Sequence, residues 1–169
     1  MFNHFGAKKQ IRKLFFDRFL NYVQNGIPNQ TPPIPPLNLT ELDSDDVYIP
    51  TVYWRNVERR EPPNNKRHYL QFFLENVTTK QKSFTGGRTH LVGTRYTTNG
   101  VVTVEIYFSK SAYQTDDEEK LSTVVQRTLL QQNVGSIWFR NPVIVDLDAE
   151  ENYFRTNVVA EYEYDSEIT

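Results

Sequence analysis

The chain has 169 residues with 19 basic and 21 acidic side chains, a formal net charge of −2, which argues against general wrapping of nucleic acid and suits one domain with a real core. Hydrophobic residues make up only 38% while aromatics reach 14%, so burial leans on Phe and Tyr, and such a chain can need a partner surface. The absence of cysteine removes disulfides, thiol catalysis and cysteine metal sites together.

Charge is uneven. The first twenty residues hold Lys8, Lys9, Arg12, Lys13 and Arg18 against Asp17, whereas Asn141 to Thr169 hold eight acids against Arg155. No apolar run approaches the roughly 18 residues of a membrane span, and MFNHFGAKKQ lacks the apolar core of a signal peptide, so the protein reads as intracellular when made. The sequons at Asn38 and Asn76 are discounted, because such short patterns arise by chance and nothing else here implies secretion.

In chain order, Gly6 to Gln24 predicts a first helix. Ala7, Ile11, Leu14, Phe15, Arg18, Phe19, Tyr22 and Val23 trace its stripe, and its aromatic content predicts docking on a sheet. Asn29 to Asp46, with Pro32, Pro33, Pro35 and Pro36, reads as an extended connector able to cross the domain or reach a neighbouring subunit. Val47 to Glu58 is broken at Pro50 and predicts an edge strand or two short ones, followed by a loop at Glu61 to Asn65. His68 to Val77 predicts a strand, with His68, Leu70, Phe72 and Leu74 on one face. The long polar run Thr78 to Thr98 predicts a protruding β-excursion.

The strongest signals stand together from Asn99 to Leu130. Asn99-Gly100 reads as a turn, and Val102, Val104, Ile106 and Phe108 then alternate along a strand. Thr115 to Glu118 fits a capping box before a helix whose stripe is Leu121, Val124, Val125, Thr128 and Leu129. Gln131 to Gly135 reads as the helix end. Ile137 to Phe139 with Pro142 to Leu147 predicts another strand, Asp148 to Asn152 an acidic turn, and Tyr153 to Asp165 a strand with one wet face. The resulting order is α-β-β-β-α-β-β. It predicts one α+β two-layer domain spanning residues 1–169, a mainly antiparallel, mixed sheet with two helices packed on one face.

Chemistry is sparse. His4, His68 and His90 lack metal-ligand spacing, the GGRTHLVGT run does not match a phosphate loop, and no serine is paired with a histidine in sequence. Asp116 to Glu119 are acids that a helix N-terminus favours, and Asp146 to Glu151 lack the glycine and terminal acid of a calcium loop. We therefore expect no enzyme activity, no cofactor and no metal. Arg55, Arg59, Arg60, Lys66 and Arg67, interleaved with Tyr53, Trp54 and Tyr69, could bind a single strand of nucleic acid or, more in keeping with the flanking glutamates, a protein.

Taken together, YWRNVERREPP with Trp54, Asn56, Pro62 and Pro63, then Gly93, GVVTVEIYF, the Leu121 to Leu129 helix and the closing YFRTNVVAEYEYD resemble the tail terminator, or tail completion, proteins of long-tailed bacteriophages. The likeness covers about two thirds of the chain, mostly after Tyr48. The long Pro-rich connector and the large Thr78 to Thr98 excursion depart from the family pattern.

The resemblance implies a virion structural protein made in the host cytoplasm. Six copies would form a ring at the tail–neck junction that stops tail-tube polymerisation and offers a surface for head joining. Its partners would be other copies of itself, the tail tube protein and a head-completion or neck protein, with DNA passing through the lumen unbound and no membrane involved. The candidate ring, tube or neck contacts are Tyr53, Trp54, Arg55, Arg59, Arg60, Phe84, Arg88 and Arg95. Asp148, Glu150, Glu151, Glu161 and Glu163 are candidates for an acidic lumen that repels phosphate. The alternatives are another head–tail connector or a small single-strand-binding module.

Overall fold

The computed structural model describes residues 4–54, 64–82, 94–114, 116–130, 132–134 and 137–168. The elements in order are α1 (His4–Asn25), β1 (Thr51–Trp54), β2 (Tyr69–Lys82), β3 (Thr94–Ser109), α2 (Asp117–Thr128), β4 (Gln132–Val134), β5 (Ile137–Leu147) and β6 (Tyr153–Ile168). They form an α+β fold with one mixed six-stranded sheet ordered β1-β2-β3-β6-β5-β4. β1 runs parallel to β2, and every other pair is antiparallel.

One face of the sheet is apolar by strict alternation. Phe72, Val104 and Val158 share one cross-strand row, Leu70, Ile106 and Thr156 the next, and all are buried. The two helices lie on this face. In α1 the buried positions Ala7, Ile11, Phe15, Phe19 and Val23 repeat every four residues, Phe15 stacks on Phe19 at 5.7 Å, and Phe15 also meets Phe72 at 4.9 Å. Each phenylalanine buried in this way contributes about 1.5–3 kcal/mol, which is what fixes a helix with little intrinsic amphipathic contrast. α2 buries Leu121, Val124, Val125 and Leu129 beside it. Arg18 of α1 donates from Nη1 to the Thr128 carbonyl oxygen at 3.4 Å, serving an orphan acceptor at the end of α2.

Four details differ from the sequence reading. Asn99-Gly100 is no turn: it lies inside β3, paired with Asn76 and Thr78 of β2 and with Tyr162 and Glu163 of β6. Glycine stands there because the Tyr162 ring and the Glu75 carbonyl oxygen occupy the space of a Cβ. The capping box does not form either. The N-cap of α2 is Asp116 without a side-chain bond, Thr115 lies outside the described residues, and Glu118 instead accepts from Tyr113 Oη at 3.1 Å and Thr156 Oγ1 at 3.0 Å. Residues 132–134, read as a helix end, form the edge strand β4 against Ile137 to Phe139. The two segments 137–139 and 142–147 are one strand, carried past Pro142 by a bulge in which Asn141 adopts φ 50°.

The Pro-rich segment lies along its own domain. Ile27 and Ile34 pair across a turn, Leu37 N–H donates to the Val23 carbonyl oxygen at 2.9 Å, and Leu37, Leu39 and Tyr48 enter the core. Residues 30–35 border α2 at Asp116, Lys120 and Arg127. The excursion after Val77 begins as a three-stranded extension, because Lys82 pairs with Arg95 and Arg95 with Glu167 of β6.

Candidate functional site

The helix-free face of the sheet carries the largest polar and aromatic display. Alternation in β2, β3 and β6 sends Tyr69, Tyr107 and Tyr153 to this side, and β1 adds Tyr53. Tyr69 stacks on Tyr107 at 4.5 Å with the rings 6° apart, Tyr153 stands edge-on to both at 5.3 and 6.0 Å, and Tyr53 meets Tyr69 at 5.5 Å. The Arg155 guanidinium lies 5.5 Å from the Tyr107 ring centre and pairs with Glu150 Oε1 at 2.7 Å. Tyr107 Oη donates to Glu105 Oε2 at 2.7 Å. Burial, followed by that carboxylate, pushes the phenol's pKa well above its usual value. The cluster was legible only in part: alternation placed Tyr69 and Tyr153 on this face, but their meeting depends on β6 lying next to β3, which chain order does not reveal.

Adjacent candidates part company in β1. Tyr53 joins the tyrosine cluster, whereas Trp54 turns to the helix side, 5.0 Å from Phe72 with Arg12 of α1 at 5.9 Å over its ring. Arg55, Arg59, Arg60, Phe84 and Arg88 lie outside the described residues. Arg95 stands in the β2–β3–β6 extension. Of the remaining basic–aromatic patch, Arg67 donates from Nε to Glu41 Oε2 at 2.9 Å, and those bonds hold the Glu41 carboxyl below the usual range. With Arg67 bonded internally and Tyr69 buried in the stack, this part of the patch has little left for stacking nucleotide bases.

The acidic candidates fall into two separate groups. Glu161 and Glu163 share the helix-free face, with Glu163 3.9 Å from Arg140 Nη2. Asp148, Glu150 and Glu151 occupy the exposed β5–β6 turn, where Lys110 Nζ donates to the carbonyl oxygens of Glu150 and Glu151. About eight residues of extended β6 separate the groups, roughly 26 Å.

A serine, a histidine and an aspartate do meet in the core, which sequence spacing could not show. His68 Nε2 lies 3.0 Å from Asp117 Oδ2, and His68 Nδ1 accepts the Ser109 backbone N–H at 3.0 Å. The wiring is not that of a nucleophilic triad. The imidazole nitrogen facing Ser109 takes a backbone proton, and the Ser109 hydroxyl donates instead to the Asn65 carbonyl oxygen. His68 is buried to 1% exposure and clamps β2 to α2. Among the described residues no group of three His, Asp or Glu side chains is arranged to hold a metal ion, and no helix is long and apolar enough to cross a membrane.

No family model and no curated protein matches this chain. Among the solved structures that match, one does so with a TM-score of 0.49 and 15% identity over 93% of this chain and 94% of the other.

Proposed function

We propose that this protein is a structural component of a phage tail. Copies of it form a ring, of six in the family it resembles, which sits on the last ring of tail-tube subunits, ends tube growth and offers a surface to a head-completion or neck protein. The observation that carries this reading is the sheet whose two helices, among the described residues, both lie on one side. The other side displays tyrosines, valines and the acids Glu161 and Glu163, and a three-stranded extension runs beyond the core. Such a domain presents two faces and an arm to neighbours.

In this reading Glu161 and Glu163 face the channel and repel DNA phosphates, while the distant Asp148 to Glu151 turn serves a contact between copies. The test is the mass of the purified chain by light scattering, free and mixed with tail-tube ends. A species six-fold above the 19.9 kDa subunit is expected. A chain that stays monomeric under both conditions and binds single-stranded DNA in a salt-sensitive way would overturn the proposal.

A further inference from the structure

The sheet leaves two stretches of strand edge uncovered, and they lie diagonally opposite. On one side β4 pairs only Ile137 to Phe139 of β5, so Val143 to Asp146 have no strand beside them among the described residues. Val143, Ile144 and Val145 are 55, 37 and 43% exposed. On the other side β1 pairs only Tyr69 to Phe72 of β2, and Val77 to Lys82 have no strand beside them among the described residues; Val77 is 66% exposed. The β5 stretch is apolar and the β2 stretch, apart from Val77, polar; both present unpaired backbone groups, which are a template for another strand.

Register fixes the offset between these edges. Val143 to Asp146 stand level with Val159 to Thr156 of β6, whereas Thr78 to Lys82 stand, through β3, level with Glu163 to Glu167. The two open edges are therefore displaced by about seven residues, close to 25 Å along the strands.

We propose that neighbouring copies join by strand addition, with Val143 to Asp146 of one copy pairing antiparallel with Val77 to Lys82 of the next. The inference deepens the ring reading and rests on it. Strand direction agrees: β5 and β2 run oppositely within one sheet, so a head-to-tail repeat of the sheet makes an antiparallel junction. Opposite edges meeting in a repeated contact is a heterologous interface, the kind that closes into rings, and a stagger at each junction is what tilted strands in a closed wall require.

Charge selects the same neighbour. Shifting one copy by the observed offset brings its β5–β6 turn, with Asp148 and Glu151 exposed, level with Trp54 at the β1 edge of the next. Beside Trp54 lies a groove formed by Lys8, Lys9, Arg12, Lys13 and Phe16. Lys13 is paired with Asp17, while Lys8 and Lys9 have no acidic partner among the described residues. An acidic turn from a second copy complements them.

The cysteine-free chain allows a clean test. Val145 and Thr78 both project from the helix-free side, so full-length V145C and T78C chains are mixed and treated with a short bis-maleimide. Crosslinked dimers are expected in the mixture and in neither variant alone. K8E/K9E in the T78C chain should lower the yield about tenfold, and D148K/E151K in the V145C chain should restore it. Self-crosslinking of V145C alone would overturn the proposal in favour of a two-fold β5 contact. Absence of crosslinks to both T78C and K80C, while the unmodified chain forms rings, would overturn strand addition and leave the ring reading standing. A chain that never assembles, alone or on tubes, would overturn both.

Discussion

His68 and Asp117, 49 residues apart in sequence, meet at 3.0 Å between Nε2 and Oδ2, and that contact joins β2 to the first turn of α2. Because Nδ1 accepts the Ser109 amide proton, the ring proton resides on Nε2. His68→Ala strips partners from a carboxylate and a buried amide, at a cost of about 2–4 kcal/mol. Ser109→Ala loses the bond to the Asn65 carbonyl oxygen and the long one accepted from the Ala112 N–H at 3.4 Å, about 1–1.5 kcal/mol together. Urea unfolding of both variants checks the ranking, and nitrogen chemical shifts of His68 check the tautomer. Equal losses in the two variants would mean that the imidazole is not the clamp.

Gly100 sits under the Tyr162 ring, whose hydroxyl donates to the Glu75 carbonyl oxygen at 3.2 Å. A methyl group there must displace the ring and the β2 backbone, so Gly100→Ala should lose about 1–3 kcal/mol, as overpacked cores do. The double variant Gly100→Ala with Tyr162→Ala should lose less than the sum of the single changes, because the ring responsible for part of the clash is gone. Additive losses would contradict this account.

Alkaline pH should unfold the protein through its phenols. Burial pushes Tyr48 up to about 12, and burial raises Tyr107 and Tyr162 further. An unfolded tyrosine ionises near pH 10, so between about 10 and 12 the unfolded chain binds fewer protons than the folded one and stability falls as pH rises. The favourable contribution is fully present below about pH 10. Titration at 295 nm with circular dichroism should show these phenols ionising together with loss of structure, and Tyr107→Phe should lessen the alkaline decline.

In the proposed ring, Glu161 and Glu163 face the channel. Replacing both with lysine should leave tails capped, since these side chains face away from the helices and core, but should slow DNA ejection from assembled particles as phosphates are held. Unchanged ejection kinetics, measured by dye uptake of the released DNA, would remove these residues from the channel wall.

The parts of this fold legible in the sequence were those written in local period. The α1 stripe, the β3 alternation and the His68 face all follow from spacing that repeats within a few residues. What escaped was non-local. Gly100 looked like a turn because its reason, the Tyr162 ring, arrives 62 residues later through the β3–β6 pairing. Glu118 looked like a cap partner because the competing hydroxyls of Tyr113 and Thr156 converge only after folding. The same limit applies to the candidate contacts: one-residue alternation separates Tyr53 from Trp54, and the register of β5 and β6 divides the acids into two groups.

The central claim is termination of tube growth, and its most direct test is the length of tail tubes in electron micrographs of assemblies made with and without this protein. Tubes of uniform length with a ring at one end are expected when it is present, and tubes of unregulated length when it is omitted. Tubes of normal, uniform length in its absence would contradict the account.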